Sequence, residues 1–164
     1  MYSCFCRVSL IIMGCNKVEY NVTILRYEPT KTMVGNYEVE QILTIKIFHR
    51  VGVVNKSEIV EELFSNNEAL DTIKEYKNQI KETYSNEIFN HIGFEHSSKI
   101  EDNSYTSTVV HNYNKVNMKE LTKADNIFMY LADTLNENYE VTYEQLIKLY
   151  KDLGFVIEEI PKIN

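Results

Sequence analysis

A change of hydrophobic period part-way along the chain constrains its fold more than any other feature. Between residues 37 and 51, Val39, Gln41, Leu43, Ile45 and Ile47 alternate with Ile42, Thr44, Lys46 and Phe48. A two-residue repeat sustained that long predicts an extended strand with two different faces. Further on, Ile59, Leu63, Leu70, Ile73, Ile80 and Tyr84 recur at helical spacing, and Lys74, Glu75, Lys77, Asn78, Lys81 and Glu82 fall on the other side. A helix with one apolar stripe needs a sheet to lie on. Asn55 and Glu58 read as the capping pair that opens this helix, the Asn oxygen accepting an early N–H while the Glu reaches back. Ser65-Asn66-Asn67 are poor helix formers, so a break into two pieces is expected there.

The flanking segments extend the pattern. Val18, Tyr20, Val22 and Ile24 alternate with Lys17, Glu19, Asn21 and Thr23, predicting a half-buried first strand on the Val22 side. Glu28-Pro29-Thr30 should interrupt it, and Gly35-Asn36 should turn the chain into the strand beginning at Tyr37. Residues 93–100 and 104–114 surround Glu101-Asp102-Asn103 and read as a second hairpin. Asn117 with Glu120 opens a helix expected over 118–135 with interruptions. Thr142 with Gln145 opens a last one, with Leu146, Leu149, Tyr150 and Leu153 as its stripe and Gly154 as its stop. Residues 155–160 form a short edge strand closed by Pro161. The expected fold is therefore α+β: an antiparallel sheet of about four strands in two hairpins, helices packed on one face, in the order ββ-α-ββ-α-α.

At 164 residues the chain has room for one core. Its net charge of −7 repels phosphate backbones. The richest lysine stretch, residues 74–81, is diluted by Glu75 and followed by Glu82, so it is a solvated face and nucleic acid is not an expected partner.

All three cysteines, Cys4, Cys6 and Cys15, fall in the first fifteen residues, MYSCFCRVSLIIMGC. Arg7, the apolar run 8–13, Gly14 and Cys15 follow the order of a secretory signal: positive, apolar, small, cleavage point. Ile12-Met13-Gly14-Cys15 resemble a lipobox, whose cysteine receives diacylglycerol and becomes the new first residue. Residues 1–14 are accordingly expected to be a lipoprotein-type signal segment, and 15–164 a single domain held by lipid on Cys15 at the outer face of the cell membrane. A buried first strand over residues 8–13 with an incidental cysteine is the alternative. The apolar run falls far short of the ~20 residues needed to cross a bilayer as a helix.

Three stretches in this order resemble the YehR-like small bacterial lipoproteins, a family without an assigned function. They are Cys15 ahead of the first strand, Val109-Val110-His111-Asn112-Tyr113-Asn114-Lys115-Val116-Asn117-Met118-Lys119-Glu120-Leu121, and the closing Leu146-Ile147-Lys148-Leu149-Tyr150-Lys151-Asp152-Leu153-Gly154-Phe155. The resemblance spans residues 15–155 and implies a fold and an address. It transfers no active site and no cofactor.

Little in the sequence carries chemistry. His91 and His96 flank Glu95, and with His111 on the next strand they are the candidate ligands of a metal ion, although their spacing matches no recognised metal motif. Glu61-Glu62 and Glu158-Glu159 are adjacent acids that face apart. No phosphate-binding loop, nucleophile elbow, His-Glu-x-x-His or Cys-x-x-Cys occurs, and the chain has only five glycines. No catalytic residue and no cofactor is expected. The reading that follows is a lipid-anchored, non-enzymatic module binding a protein, peptide or small molecule, with a metal-dependent enzyme or metal-binding protein as the alternative.

Overall fold

The computed structural model describes residues 20–65, 67–85, 93–123 and 127–158. Among these residues, six strands and three α-helices follow in the order β1 (Asn21–Val34), β2 (Tyr37–Arg50), β3 (Val53–Phe64), α1 (Leu70–Tyr84), β4 (Phe94–Glu101), β5 (Ser104–Asn112), α2 (Met118–Leu121), α3 (Tyr143–Asp152) and β6 (Val156–Ile157). All the strands pair antiparallel in one sheet, ordered β4-β5-β3-β2-β1-β6. The expected four-stranded sheet of two hairpins, ββ-α-ββ-α-α, is therefore wrong. The chain lays down three long strands before its first α-helix and closes with a sixth.

The error lies at residues 53–64, expected to open the helix. Ile59 and Leu63 are four apart, a spacing that suits either period. The alternation is hidden because polar Ser57 and Glu61 occupy the inward positions on either side of Ile59. Glu61 is accommodated there by hydrogen bonds from Gln41 Nε2 at 2.6 Å and from the Tyr76 hydroxyl at 3.2 Å. Asn55 and Glu58 lie within β3, and α1 begins only at Leu70. What makes the segment a strand is a two-residue turn at Val51-Gly52, with φ of 50° and 77°, which folds β3 back along β2 over eleven paired positions.

Pro29 does not end the first strand either. The β1–β2 register shifts between Tyr27 and Thr30, so Glu28-Pro29 forms a bulge and the strand continues to Val34. The bulge also exchanges faces: Thr23, Leu25 and Tyr27 point inward before it, Val34 after it. The expected half-buried side is thus reversed, for Leu25 is fully buried whereas Val22 is exposed.

One face of the sheet carries the core, in two clusters. Val34, Val39, Leu63 and Tyr105 meet Ile73 of α1. Toward the other end, Leu25, Ile45, Ile47 and Val54 meet Met118 and Leu121 of α2, Phe128 and Leu131 of a 3₁₀ segment (Ile127–Thr134), and Leu146, Ile147 and Tyr150 of α3. The opposite face mixes polar Lys46, Lys56, Glu58, Glu62, Thr106 and Thr108 with apolar Val22, Ile24, Ile42, Phe48, Val60 and Val110.

Several expectations hold. The second hairpin is β4–β5, with Asp102 at φ 51° in its turn. The Asn117 side chain accepts from the Glu120 N–H at the start of α2, although α2 is four residues long rather than reaching residue 135. Thr142 precedes α3 without capping it, donating its hydroxyl to the Thr134 carbonyl instead. Gly154, at φ 95°, ends α3, and β6 pairs with β1 at the sheet edge. The signal segment 1–14, Cys15 and the alternative strand over 8–13 lie outside the described residues.

Candidate functional site

The chain departs most from ordinary folding rules at the end of the sheet where β1 starts and β2 turns into β3. The turn there wants Asn-Gly, because both central residues take positive φ, yet its first position is Val51, a β-branched residue that is 90% exposed. Below it the Gly52 carbonyl accepts from Tyr143 N at 2.8 Å, and Val54 N donates to the Val141 carbonyl at 2.8 Å. These bonds clamp the base of the turn to the segment that enters α3. His49 stacks on Tyr143, ring centroids 3.9 Å apart, and Thr23 Oγ1 lies 3.4 Å from His49 Nε2 and 3.0 Å from the Tyr143 hydroxyl. Burial lowers the pKa of His49 and favours the neutral ring. This histidine was not among the sequence candidates. The signal that would have found it is its place on the inward side of the alternating run that Val39, Ile45 and Ile47 define.

A second bulge shapes the site. His49 pairs with Val54 and Phe48 with Lys56, leaving Asn55 as the extra residue. Asn55 Nδ2 donates to Asn114 Oδ1 at 3.2 Å. Asn114 borders two clefts. One, of about 310 Å³, is also lined by Val53, Tyr113, Tyr139 and Glu140. The other, of about 320 Å³, is lined by Tyr20, Phe48, Asn55, Lys56 and Asn112. The buried Oδ1 atoms of Asn55 and Asn112 meet no protein donor among the described residues. Lys56 Nζ sits 4.0 Å above the Phe48 ring and pairs with Glu58 at 2.6 Å. Tyr139, at φ 60°, stands half-exposed on a turn that Asn136 Oδ1 organises by accepting from Asn138 N and Glu140 N, with Lys119 over its ring.

The metal candidates are partly resolved by strand register. Phe94 pairs with His111 and His96 with Val109, so His96 and His111 sit diagonally on the inward face of neighbouring strands. His96 stacks on Tyr84, its Nε2 lies 3.1 Å from Ser107 Oγ, and burial lowers its pKa. His111 is 4% exposed, with the rings of Phe94 and Phe128 each 4.9 Å away. His91 lies outside the described residues. Among the described residues no three His, Cys, Asp or Glu side chains are grouped to hold a metal ion. Glu61 points into the core and Glu62 away from it, so that pair does not converge; Glu159 is outside the described residues.

A six-stranded antiparallel sheet covered by helices on one face, with the two clefts that share Asn114 at one end, defines the class of domain. No family model matches the sequence, and neither does any curated protein. Two solved structures share the fold. The NMR structure of the E. coli YehR protein has a TM-score of 0.58 and 16% identity, over 89% of this chain and 98% of that one. The NMR structure of a protein from Streptococcus pneumoniae TIGR4 has a TM-score of 0.52 and 12% identity, over 96% of both chains. The fold is thus YehR-like, as the sequence resemblance implied. Likenesses at this identity carry the fold alone.

Proposed function

We propose that the chain is a lipid-anchored, extracytoplasmic module of the cell envelope that binds rather than catalyses, its anchor a diacylglycerol on Cys15. The observation that carries the binding role is the pair of clefts sharing Asn114. Both hold amides and aromatic rings, and in the cleft beside Tyr20 and Phe48 the buried Oδ1 atoms of Asn55 and Asn112 are ones that a ligand's N–H or O–H groups would satisfy. A protein, a peptide or a small molecule fits that chemistry. Metabolic labelling with a fatty-acid analogue, wild type against Cys15→Ala, tests the anchor: label lost in the variant is expected, and equal labelling refutes it. A thermal-shift screen of soluble peptides and sugars, repeated on Asn114→Ala, tests the binding role; a hit should disappear in the variant.

A second reading, a metal-dependent enzyme or metal-binding protein using His91, His96 and His111, draws on the shared face of His96 and His111. Elemental analysis of purified protein decides it, for absence of stoichiometric metal rejects a resident ion.

A further inference from the structure

The geometry points to the Val51-Gly52 turn, with Tyr20 and Tyr139 beside it, as a second membrane contact that rests on the bilayer interface. This inference depends on the proposed acylation of Cys15 for its orientation. Five residue steps separate Cys15 from Tyr20, and even fully extended they span only about 17 Å. Tyr20 leads into Asn21, which pairs with His49, two residues before Val51. An anchored chain therefore carries this end of the sheet next to the lipid. The opposite end is excluded by distance, because β1 runs for 14 residues and takes its far turn roughly 40 Å outward.

The residues at the near end fit an interface. Val51 is 90% exposed and is held at a φ that an asparagine or glycine would adopt without strain, so neither the turn nor the core explains a valine there. Tyr20 and Tyr139 are 42% and 46% exposed, and tyrosine is the side chain whose apolar ring and polar tip suit a headgroup layer. Tyr139 too is kept at positive φ. The cations Arg50, Lys115 and Lys119 are offset by Asp133, Glu137, Glu140 and Glu144, so apolar insertion rather than anionic lipid drives the contact.

The chain has no tryptophan, so Val51→Trp and Met33→Trp each carry a single probe, at the near turn and the far one. The full acylated chain is placed on phosphatidylcholine vesicles with brominated acyl chains. Emission from the Val51→Trp variant should shift to shorter wavelength and be quenched, while that from Met33→Trp should not change. Equal behaviour of the two probes overturns the inference. Val51→Asn adds a readout that structure alone would not move: it should melt at a higher temperature, yet in a Cys15→Ala background partition to vesicles about tenfold more weakly than its Val51 parent. Unchanged partition also overturns the inference. Fatty-acid labelling read on the same samples separates the two claims, since a labelled Val51→Trp chain whose emission stays unchanged removes the turn contact and leaves the anchor standing.

Discussion

His49 and His96 are two residues whose protonation the fold opposes. Burial lowers both pKa values below the ordinary 6.5, so the folded protein binds fewer protons than the unfolded chain as the pH falls through that value. Stability from these two sites is complete above about pH 6.5 and declines below it. The melting temperature should therefore fall between neutral pH and about pH 5, and the fall should shrink in the His49→Gln, His96→Gln double variant. An unchanged slope there would assign the loss to carboxylates. At the same scale, Glu61 shows how one residue can disguise a strand. A charge on the core side breaks the apolar alternation on paper, while Gln41 and Tyr76 make it tolerable in space.

Among the elements, the β4–β5 hairpin depends on Gly93. Its carbonyl accepts from Asn112 N at 2.7 Å, its φ is 97°, and a Cβ there would lie 2.7 Å from the Asn112 carbonyl oxygen. Gly93→Ala should cost about 2–3 kcal/mol, from backbone strain together with the loosened pairing, measured by urea denaturation. A cost under about 0.5 kcal/mol would mean the hairpin end does not hold the fold. Residues 93–101 and 104–112 were readable as strands because their alternation is clean and a polar triplet marks the turn. Residues 53–64 were not, because Val51 gives no turn signal and the strand's identity comes from having β2 on one side and β5 on the other.

For the molecule as a whole, the core divides into a cluster under α1 and a larger one under α2, α3 and the 3₁₀ segment. Ile73→Ala and Leu146→Ala should each cost about 2–5 kcal/mol. Because the two residues belong to separate clusters, the double variant should show the sum within roughly 0.5 kcal/mol. A larger discrepancy in chemical denaturation would mean that the clusters are energetically one. The candidate site belongs to this scale also. Tyr20, Asn55, the pair Asn112 and Asn114, and Tyr139 come from four stretches of chain and gather around the two clefts only because the strands align.

What the amino-acid sequence determined by itself was local: the two-faced strand over 37–50, the second hairpin, the apolar stripe of α1, the Leu146 and Tyr150 side of α3 although Leu153 is exposed and Ile147 is buried instead, the Asn117 cap and the stop at Gly154. Each follows from spacing along the backbone or from a single residue's conformational preference. Tertiary structure alone decided which face of β1 is buried, that 53–64 is a strand, that His96 and His111 share a side, and that two clefts open beside the Val51 turn. Those outcomes depend on cross-strand register and on the two bulges, and register is set by the whole sheet burying one face together.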